Sequence, residues 1–285
     1  MKVLVTGAGG QLGRALLASA PAGAETVAAD HSTLDIADAA AVERFVSELA
    51  PTHIFNAAAY TAVDRAESEE AAALAINGHA VGHLAAAAAE AGAQLVHVST
   101  DFVFDGTAGR PFPPDASTAP LGAYGRSKLA GEQAAGSDAL VVRTAWVYDA
   151  QGANFVRTML RLMGEREEVR VVADQIGTPT WAPALASAIW ALAQQGATGL
   201  YHYTDSGVAS WYDFAVAIQE EALALGLLQT AAQIVPIATE DFPTPAQRPA
   251  YSVLEKSATW RLLGGPAPHW RVNLRHMLEE LNNDG

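Results

Sequence analysis

The stretch that most constrains the fold lies at the N-terminus. There an apolar run, Lys2 to Thr6, ends in Gly7-Ala-Gly-Gly10-Gln11-Leu12-Gly13, and a helical pattern follows from Arg14 to Ala20. A strand, a glycine-rich turn and a helix start make a cradle for phosphate. The glycines permit a tight turn and close approach of a ligand, and the helix end offers free N–H groups and a positive dipole. The spacing is Gly-x-x-Gly-x-x-Gly, and the stricter Gly-x-Gly-x-x-Gly fails because Leu12 stands where its last glycine would fall. Such turns also serve packing alone. The position directly after an N-terminal strand is what favours dinucleotide binding.

The same β-then-α rhythm continues. Glu25 to Ala29 is an apolar run closed by Asp30, at the distance from the glycines expected of an acid that binds an adenosine ribose, although Asp30 can equally cap a turn. Asp38 opens a helical pattern with Val42, Phe45, Val46 and Leu49 on one face, and Pro51 stops it. His53 to Asn56 is a third strand, followed by small residues through Ala59 that leave room for a flat cofactor. A long alanine-rich helix is expected over Glu67 to Ala91, with Asn77 and His79 as satisfied polar residues on it. Gln94 to Val98 and Leu140 to Arg143 are further strands, the first delivering Ser99-Thr100-Asp101. This pattern predicts an α/β fold, a doubly wound parallel sheet of the Rossmann kind, with ligands at the C-terminal ends of the strands. Residues 1–150 form the dinucleotide-binding domain. Beyond Gln151 the elements shorten and the loops become irregular, so 151–285 is expected to be a smaller substrate-binding lobe, with some segments returning to the first domain.

Tyr124 stands four residues before Lys128 at the start of a predicted helix, which puts both side chains on one face. A phenol has a pKa of about 10. An ammonium roughly 5 Å away favours the phenolate by about 3 kcal/mol at an effective dielectric of about 20. A tyrosine so placed can give a proton to a carbonyl oxygen or take one from an alcohol. A Tyr-x-x-x-Lys alone is common by chance, but here it accompanies the glycine turn and the hydroxyls after the fourth strand. The net charge of −14 argues against nucleic-acid binding, and the absence of cysteine excludes disulfides, thiol nucleophiles and zinc–thiolate sites. The N-terminal apolar run is too short for a signal peptide, and Leu84 to Ala93 is too short to span a bilayer, so a cytoplasmic protein without membrane contact is expected.

Thr6-Gly7-x-x-Gly10-x-x-Gly13, Asn56-Ala-Ala-Ala, Ser99-Thr100-Asp101 and Tyr124-x-x-x-Lys128, in this order, resemble the extended short-chain dehydrogenase/reductase family. Six further segments, at 59–67, 99–104, 124–132, 143–148, 174–180 and 248–254, are similar to the branch that reduces dTDP-4-dehydro-L-rhamnose at C4 to dTDP-L-rhamnose. The resemblance spans nearly the whole chain. It implies NADPH or NADH as cofactor and a dTDP-sugar as substrate, with Tyr124 as proton donor, Lys128 tuning it and holding the nicotinamide ribose, and Thr100 orienting the carbonyl. It further implies that Gly10, Gln11 and Leu12 line the pyrophosphate, with Gly7 and Gly13 in the same cofactor-binding turn. Asp30, Asp35 and Ile36 would lie near the adenosine, Ala59, Tyr60 and Thr61 under the cofactor, and Asp101 and Trp146 against the sugar.

Arg248, between prolines, is a candidate for gripping the diphosphate, with a structural pair to Asp241 as the alternative. Some relatives are dimers bridged by magnesium on glutamates. Here Arg14-Ala15 and Pro183 stand at those places and Glu280 alone cannot hold a metal, so a monomer or weak dimer without a bridging metal is expected. Two other readings stay open. One is another sugar-nucleotide reductase, epimerase or dehydratase, although Phe102 replaces the glutamate a dehydratase needs. The other is a non-catalytic NADP-binding regulatory subunit, which loss of Tyr124 or Lys128 would have favoured.

Overall fold

The computed structural model describes residues 1–283. Its centre is a six-stranded parallel sheet. Strands β1 (Lys2–Thr6), β2 (Glu25–Ala29), β3 (His53–Asn56), β4 (Gln94–Thr100), β5 (Leu140–Thr144) and the strand Gly199–His202 lie in the order β2-β1-β3-β4-β5-Gly199–His202. Leu4 pairs with Val27 on one side and Ile54 on the other, which fixes the register at the centre. A parallel sheet needs helices on both faces. On one face Val3, Val5, Phe55, Val96 and Val142 pack with Leu16 of helix α1 (Gln11–Ala18) and with Leu185, Ile189 and Trp190 of α8 (Ala182–Gln194). On the other, Leu4, Ile54, Leu95 and Val141 meet Val42 and Val46 of α2 (Ala39–Leu49) and Val81 and Leu84 of α5 (Ala80–Ala91). Successive strand residues serve opposite cores, as the period-2 alternation of a strand requires.

From β1 the chain goes to β2 at the edge and then crosses back to β3, so the crevice beyond the C-terminal ends of β1 and β3 is the switch point where ligands of such sheets bind. Gly7 occupies that crevice with φ +68°, and a Cβ on it would lie 2.5 Å from the backbone nitrogen of Ala58. Only glycine lets the first turn pack on the alanines after β3.

Local signals act as expected at several ends. The Asp38 carboxylate accepts the Ala41 N–H at 3.1 Å and starts α2, and Ala50 ends it in a left-handed conformation just before Pro51. Helix α1 begins at Gln11, three residues earlier than the sequence pattern suggests, so Gln11, Leu12 and Gly13 form its first turn.

The expected helix over Glu67 to Ala91 is broken. A short helix, α3 (Val63–Ala66), precedes it, and the expected span itself holds α4 (Glu70–Leu74), a π-helical turn at Ala75–His79, and α5. The π turn aims Asn77 inward. Its Oδ1 accepts the Tyr60 N–H at 2.8 Å, and its Nδ2 donates to the Tyr60 carbonyl at 3.0 Å and to Ser127 Oγ at 3.0 Å. These bonds satisfy the backbone of the segment after β3, which explains a deviation that intrinsic propensity does not announce. The run Glu70–Ala91 is 22 residues long with a mean hydropathy of 1.2, enough by length and composition for a membrane span. In this fold its apolar side, Ala80, Val81, Leu84 and Ala88, is spent in the core against the sheet.

The C-terminal part builds its own core from Tyr148, Val156, Met159, Phe214, Ile218, Trp270 and Leu274. It is carried by α7 (Phe155–Glu165), α9 (Trp211–Ala224), the helix Trp270–Asn283, and the parallel pair Glu168–Val172 with Gln233–Ile237. Between these elements, α8 and the strand Gly199–His202 go back to the main sheet, where Leu200 pairs with Val141.

Helix α6 (Ala123–Ala135) lies close against the π turn, since a Cβ at Gly131 would sit 2.0 Å from the Asn77 carbonyl oxygen. That neighbour is backbone and cannot swing away. Gly131→Ala is expected to destabilise the protein by about 2 kcal/mol or more, the scale of overpacking in a filled interior. Urea unfolding measures this, and an unchanged midpoint would mean the two helices sit farther apart.

Candidate active site at the end of strand β4

Strand β4 runs two residues beyond its expected end because Ser99 pairs with Arg143 and Thr100 with Thr144 on β5. This extension carries Thr100 to the sheet edge, where α6 brings Tyr124 beside it. The Thr100 hydroxyl lies beside the half-buried phenol, and the Phe102 ring meets the phenol ring edge-on at 5.5 Å. Burial pushes the Tyr124 pKa up to about 12; the Thr100 hydroxyl pulls it down and the Asp101 charge adds to the rise. Lys128 is buried, and its Nζ donates to the Val98 carbonyl at 2.6 Å. Burial lowers its pKa to about 8, against the opposing pull of Glu132. The expected lowering of the phenol pKa by Lys128 is therefore not what this geometry gives. Desolvation wins, and the ammonium is spent on a backbone carbonyl. The result is a tyrosine held in its protonated form.

Asp101 is buried beside them, its Oδ1 accepting from the Thr100 hydroxyl at 3.0 Å. Burial raises its pKa to about 6, opposed by the Ser252 and Thr100 hydroxyls. Its Oδ2 is buried without a hydrogen-bond partner, the kind of polar atom that a ligand satisfies.

Below this surface lies a polar layer that the sequence reading missed. Arg143 Nε and Nη2 donate to Glu132 Oε1 and Oε2, both at 2.7 Å, with the side chains 4% and 9% exposed. Ser99 Oγ donates to the same Oε1 at 2.6 Å, and the guanidinium lies 4.9 Å from the centre of the Phe104 ring. Across the strands, Thr6 Oγ1 donates to Asn56 Oδ1 at 2.7 Å, and Asn56 Nδ2 lies 3.1 Å from His97 Nδ1. Burial, then the Lys128 charge, keeps His97 neutral. The signal for the ion pair was present, since Glu132 closes one of the family-like segments and Arg143 opens the next.

The dinucleotide side shows an open helix end. No side chain caps α1, and the turn Gly7–Gly10 closes on itself through Gly10 N–H to the Gly7 carbonyl at 2.9 Å. Gln11 Oε1 accepts from Asn154 Nδ2 at 2.9 Å, and Leu12 packs toward the core. Asp30 is exposed, and its Oδ1 caps the following turn by accepting from Ser32 and Thr33, which holds its pKa below the usual range. Oδ2 is not engaged in that turn. Asp35 accepts the Ala37 N–H at 3.0 Å, and Ile36 is buried next to it. Ala59 is half-buried and Thr61 exposed beyond β3, while the Tyr60 hydroxyl turns away to Glu69 at 2.6 Å. A glycine cradle without room for a side chain, an uncapped helix end and small residues at the switch point fit a nicotinamide dinucleotide.

Trp146 is held at φ +49°, unusual for a bulky residue, and stacks on Trp211 at 3.5 Å. Its other neighbour is Gly177, where a Cβ would be 2.7 Å from the indole. Arg248 differs from the expectation of a free diphosphate grip. It is bound at two points by Asp64, Nη1 to Oδ1 at 3.0 Å and Nη2 to Oδ2 at 2.9 Å. The Pro-flanked loop folds back onto α3, so the partner is Asp64 and not Asp241, whose carboxylate accepts the Ala238 N–H. An open cavity of about 680 Å³ lies beside this pair, lined by residues 62–65, 67, 68 and Pro245.

The comparisons with known proteins agree with this geometry. A family model described as the RmlD substrate binding domain matches residues 1–283. A dTDP-4-dehydrorhamnose reductase of Burkholderia thailandensis is 46% identical over 95% of this chain and 96% of its own. A dTDP-4-keto-6-deoxy-D-glucose reductase of Streptomyces niveus is 43% identical over 99% and 98%. The crystal structure of dTDP-4-dehydrorhamnose reductase from Bacillus anthracis in complex with NADP superposes with a TM-score of 0.92 at 38% identity, covering 98% of this chain and 99% of that one. The chain belongs to the dTDP-4-dehydrorhamnose reductase family, within the extended short-chain dehydrogenases/reductases.

Proposed function

We propose that this protein is an NAD(P)H-dependent reductase that converts the C4 keto group of dTDP-4-dehydro-L-rhamnose to the alcohol of dTDP-L-rhamnose. The observation that carries this reading is the grouping of Tyr124, Thr100 and Asp101 at the end of β4, on a chain of this family. The bound nicotinamide supplies a hydride to C4. The residues then have to place the carbonyl and deliver one proton to its oxygen, since hydride addition alone would leave an alkoxide. Tyr124 holds that proton at its hydroxyl, and a phenol is protonated at neutral pH with or without the upward shift that burial gives it. Thr100 Oγ1 shares the position and orients the same oxygen. Asp101, with Oδ2 free, takes a sugar hydroxyl, and Trp146, fixed by Trp211, forms a wall beside it. Lys128 would hold the nicotinamide ribose by exchanging its bond to the Val98 carbonyl.

On the cofactor side, Gly7 to Gly13 and the N-terminus of α1 receive the pyrophosphate, with Asp30, Asp35 and Ile36 near the adenosine and Ala59 to Thr61 beneath the cofactor. Asp30 favours an NADH ribose, while Arg14, His31 and Ser32 moderate repulsion of the NADPH phosphate, so both cofactors are expected to work. The multiply charged, water-soluble reactants support a cytoplasmic setting, and the arginine at position 14 supports a monomer or weak dimer without a metal bridge. A reductase acting on the other C4-keto sugar configuration is the second reading, because the Streptomyces niveus relative is named for it.

Purified protein with NADPH and dTDP-4-dehydro-L-rhamnose should consume the cofactor and release dTDP-L-rhamnose, identified by proton NMR. Turnover only with the D-gluco-configured keto sugar would transfer the assignment to the second reading. Tyr124→Phe should leave cofactor binding intact and lower turnover on the order of 10²- to 10⁴-fold, the usual worth of a general acid. Near-normal turnover would remove Tyr124 from the mechanism.

The pH dependence carries a sign. Tyr124 remains a phenol up to about 12, whereas Lys128 loses its charge above about 8 in the free protein. The kcat/KM for the cofactor, which reports the free enzyme, should fall as the pH rises through about 8. The same falling limb in Lys128→Met would assign that titration to another group.

A further inference from the structure

The segment 244–254 crosses from the C-terminal lobe over the catalytic side of the sheet and is tied down along its length. At its start, Asp64 binds Arg248 at two points and also accepts the Ala246 N–H at 3.2 Å. Arg248 Nη1 further donates to the Ala246 carbonyl and to Thr244 Oγ1, which folds the loop around the guanidinium. In the middle, Pro249 sits so close over Gly106 that a Cβ there would be 2.5 Å away. Farther on, Ala250 and Ser252 exchange backbone hydrogen bonds with Ile176, both at 2.8 Å, and the Ser252 hydroxyl lies against Asp101. Phe112 N–H to the Val253 carbonyl, at 2.9 Å, closes the far end.

One turn beyond Asp64, Glu67 faces the other way. Its Oε1 accepts the Ala123 N–H at 2.8 Å, the first residue of α6 and the one before Tyr124. No side chain within the 122–126 turn caps that helix end, and a Cβ at Gly122 would lie 2.5 Å from the same Oε1. A carboxylate at a helix N-terminus satisfies a free N–H and complements the dipole. Asp64 and Glu67, three residues apart on one short helical stretch, thus hold the strap with one carboxylate and the catalytic helix with the other.

We propose that Asp64 and Glu67 are positioning residues, forming a relay that couples the strap 244–254, through Arg248, to the placement of Tyr124. This rests on the reductase reading for its catalytic consequence. The Asp64 and Arg248 side chains are 42% and 25% exposed, so the pair can open, unlike the buried pair of Glu132 and Arg143. Asp64, Glu67 and Pro245 all line the open cavity of about 680 Å³, so a ligand entering it bears on relay and strap together.

The test is a double-mutant cycle with two readouts. Asp64→Asn and Arg248→Gln should each lower kcat about tenfold, and the double variant should be no worse than either, as for groups acting as one unit. Cofactor Kd and melting temperature should change little. Glu67→Ala should lower kcat similarly, and Glu67→Gln, which keeps an acceptor for the Ala123 N–H, should restore it. Independently of any sugar substrate, amide hydrogen exchange in the first turn of α6 should quicken in Asp64→Asn and in Glu67→Ala. Unchanged exchange there would overturn the relay. So would a silent Asp64→Asn beside an Arg248→Gln defect confined to the sugar-nucleotide KM, which would mean that Arg248 grips the diphosphate directly. Parallel loss of melting temperature, cofactor binding and kcat in every variant would overturn it too, as a structural contact. A wild-type protein inactive on the keto sugar would count against the reaction assignment, and the exchange measurement would still decide the relay.

Discussion

The buried pair of Glu132 and Arg143 is the interaction on which the site depends. Glu132 is one turn beyond Lys128 on α6, and Arg143 is the penultimate residue of β5, so their two-point contact sets the helix against the sheet in one register. Ser99 joins them from β4, immediately before Thr100. Removing one member of such a pair leaves an uncompensated buried charge and costs about 3–5 kcal/mol, whereas replacing both with apolar residues is often neutral. Its value here is therefore placement more than stability. The Thr100 hydroxyl is one residue from this triangle, the Lys128 ammonium one helical turn from it, and the Tyr124 phenol one turn further along the same helix.

Burial then decides the electrostatics of the chemistry. In water an ammonium near a phenol would favour phenolate, but α6 lies on the sheet and both groups lose hydration. Tyr124 moves up, Lys128 moves down, and Asp101 moves up to about 6. All three shifts favour the neutral forms, as desolvation requires. Burial thus outweighs neighbouring charge in setting the protonation of all three groups.

The two binding regions are solved by different means. The dinucleotide crevice is made of backbone and small side chains, with Gly7 pressed on Ala58 and an uncapped helix end. The region around Trp146, proposed to face the sugar, is made of large side chains held by other large side chains, with Trp146 stacked on Trp211. A shared cofactor needs the same backbone contour in many proteins, while a particular sugar nucleotide needs a shaped wall.

By itself the sequence determined the parallel sheet, the glycine turn and the main residues at the end of β4. These rest on local information: alternating apolar runs, turn chemistry at fixed offsets and a four-residue helical spacing. The return of α8 and Gly199–His202 to the sheet was legible only as a tendency, because an apolar segment does not say which core will bury it. The π turn at Ala75–His79, the partner of Arg248 and the pair of Glu132 with Arg143 were decided by tertiary structure alone. Asp64 and Arg248 are 184 residues apart, and Asp241 was the nearer acid in sequence. Charges choose partners by distance in space, and that distance, like the desolvation that sets the pKa of Tyr124, exists only once the chain has packed.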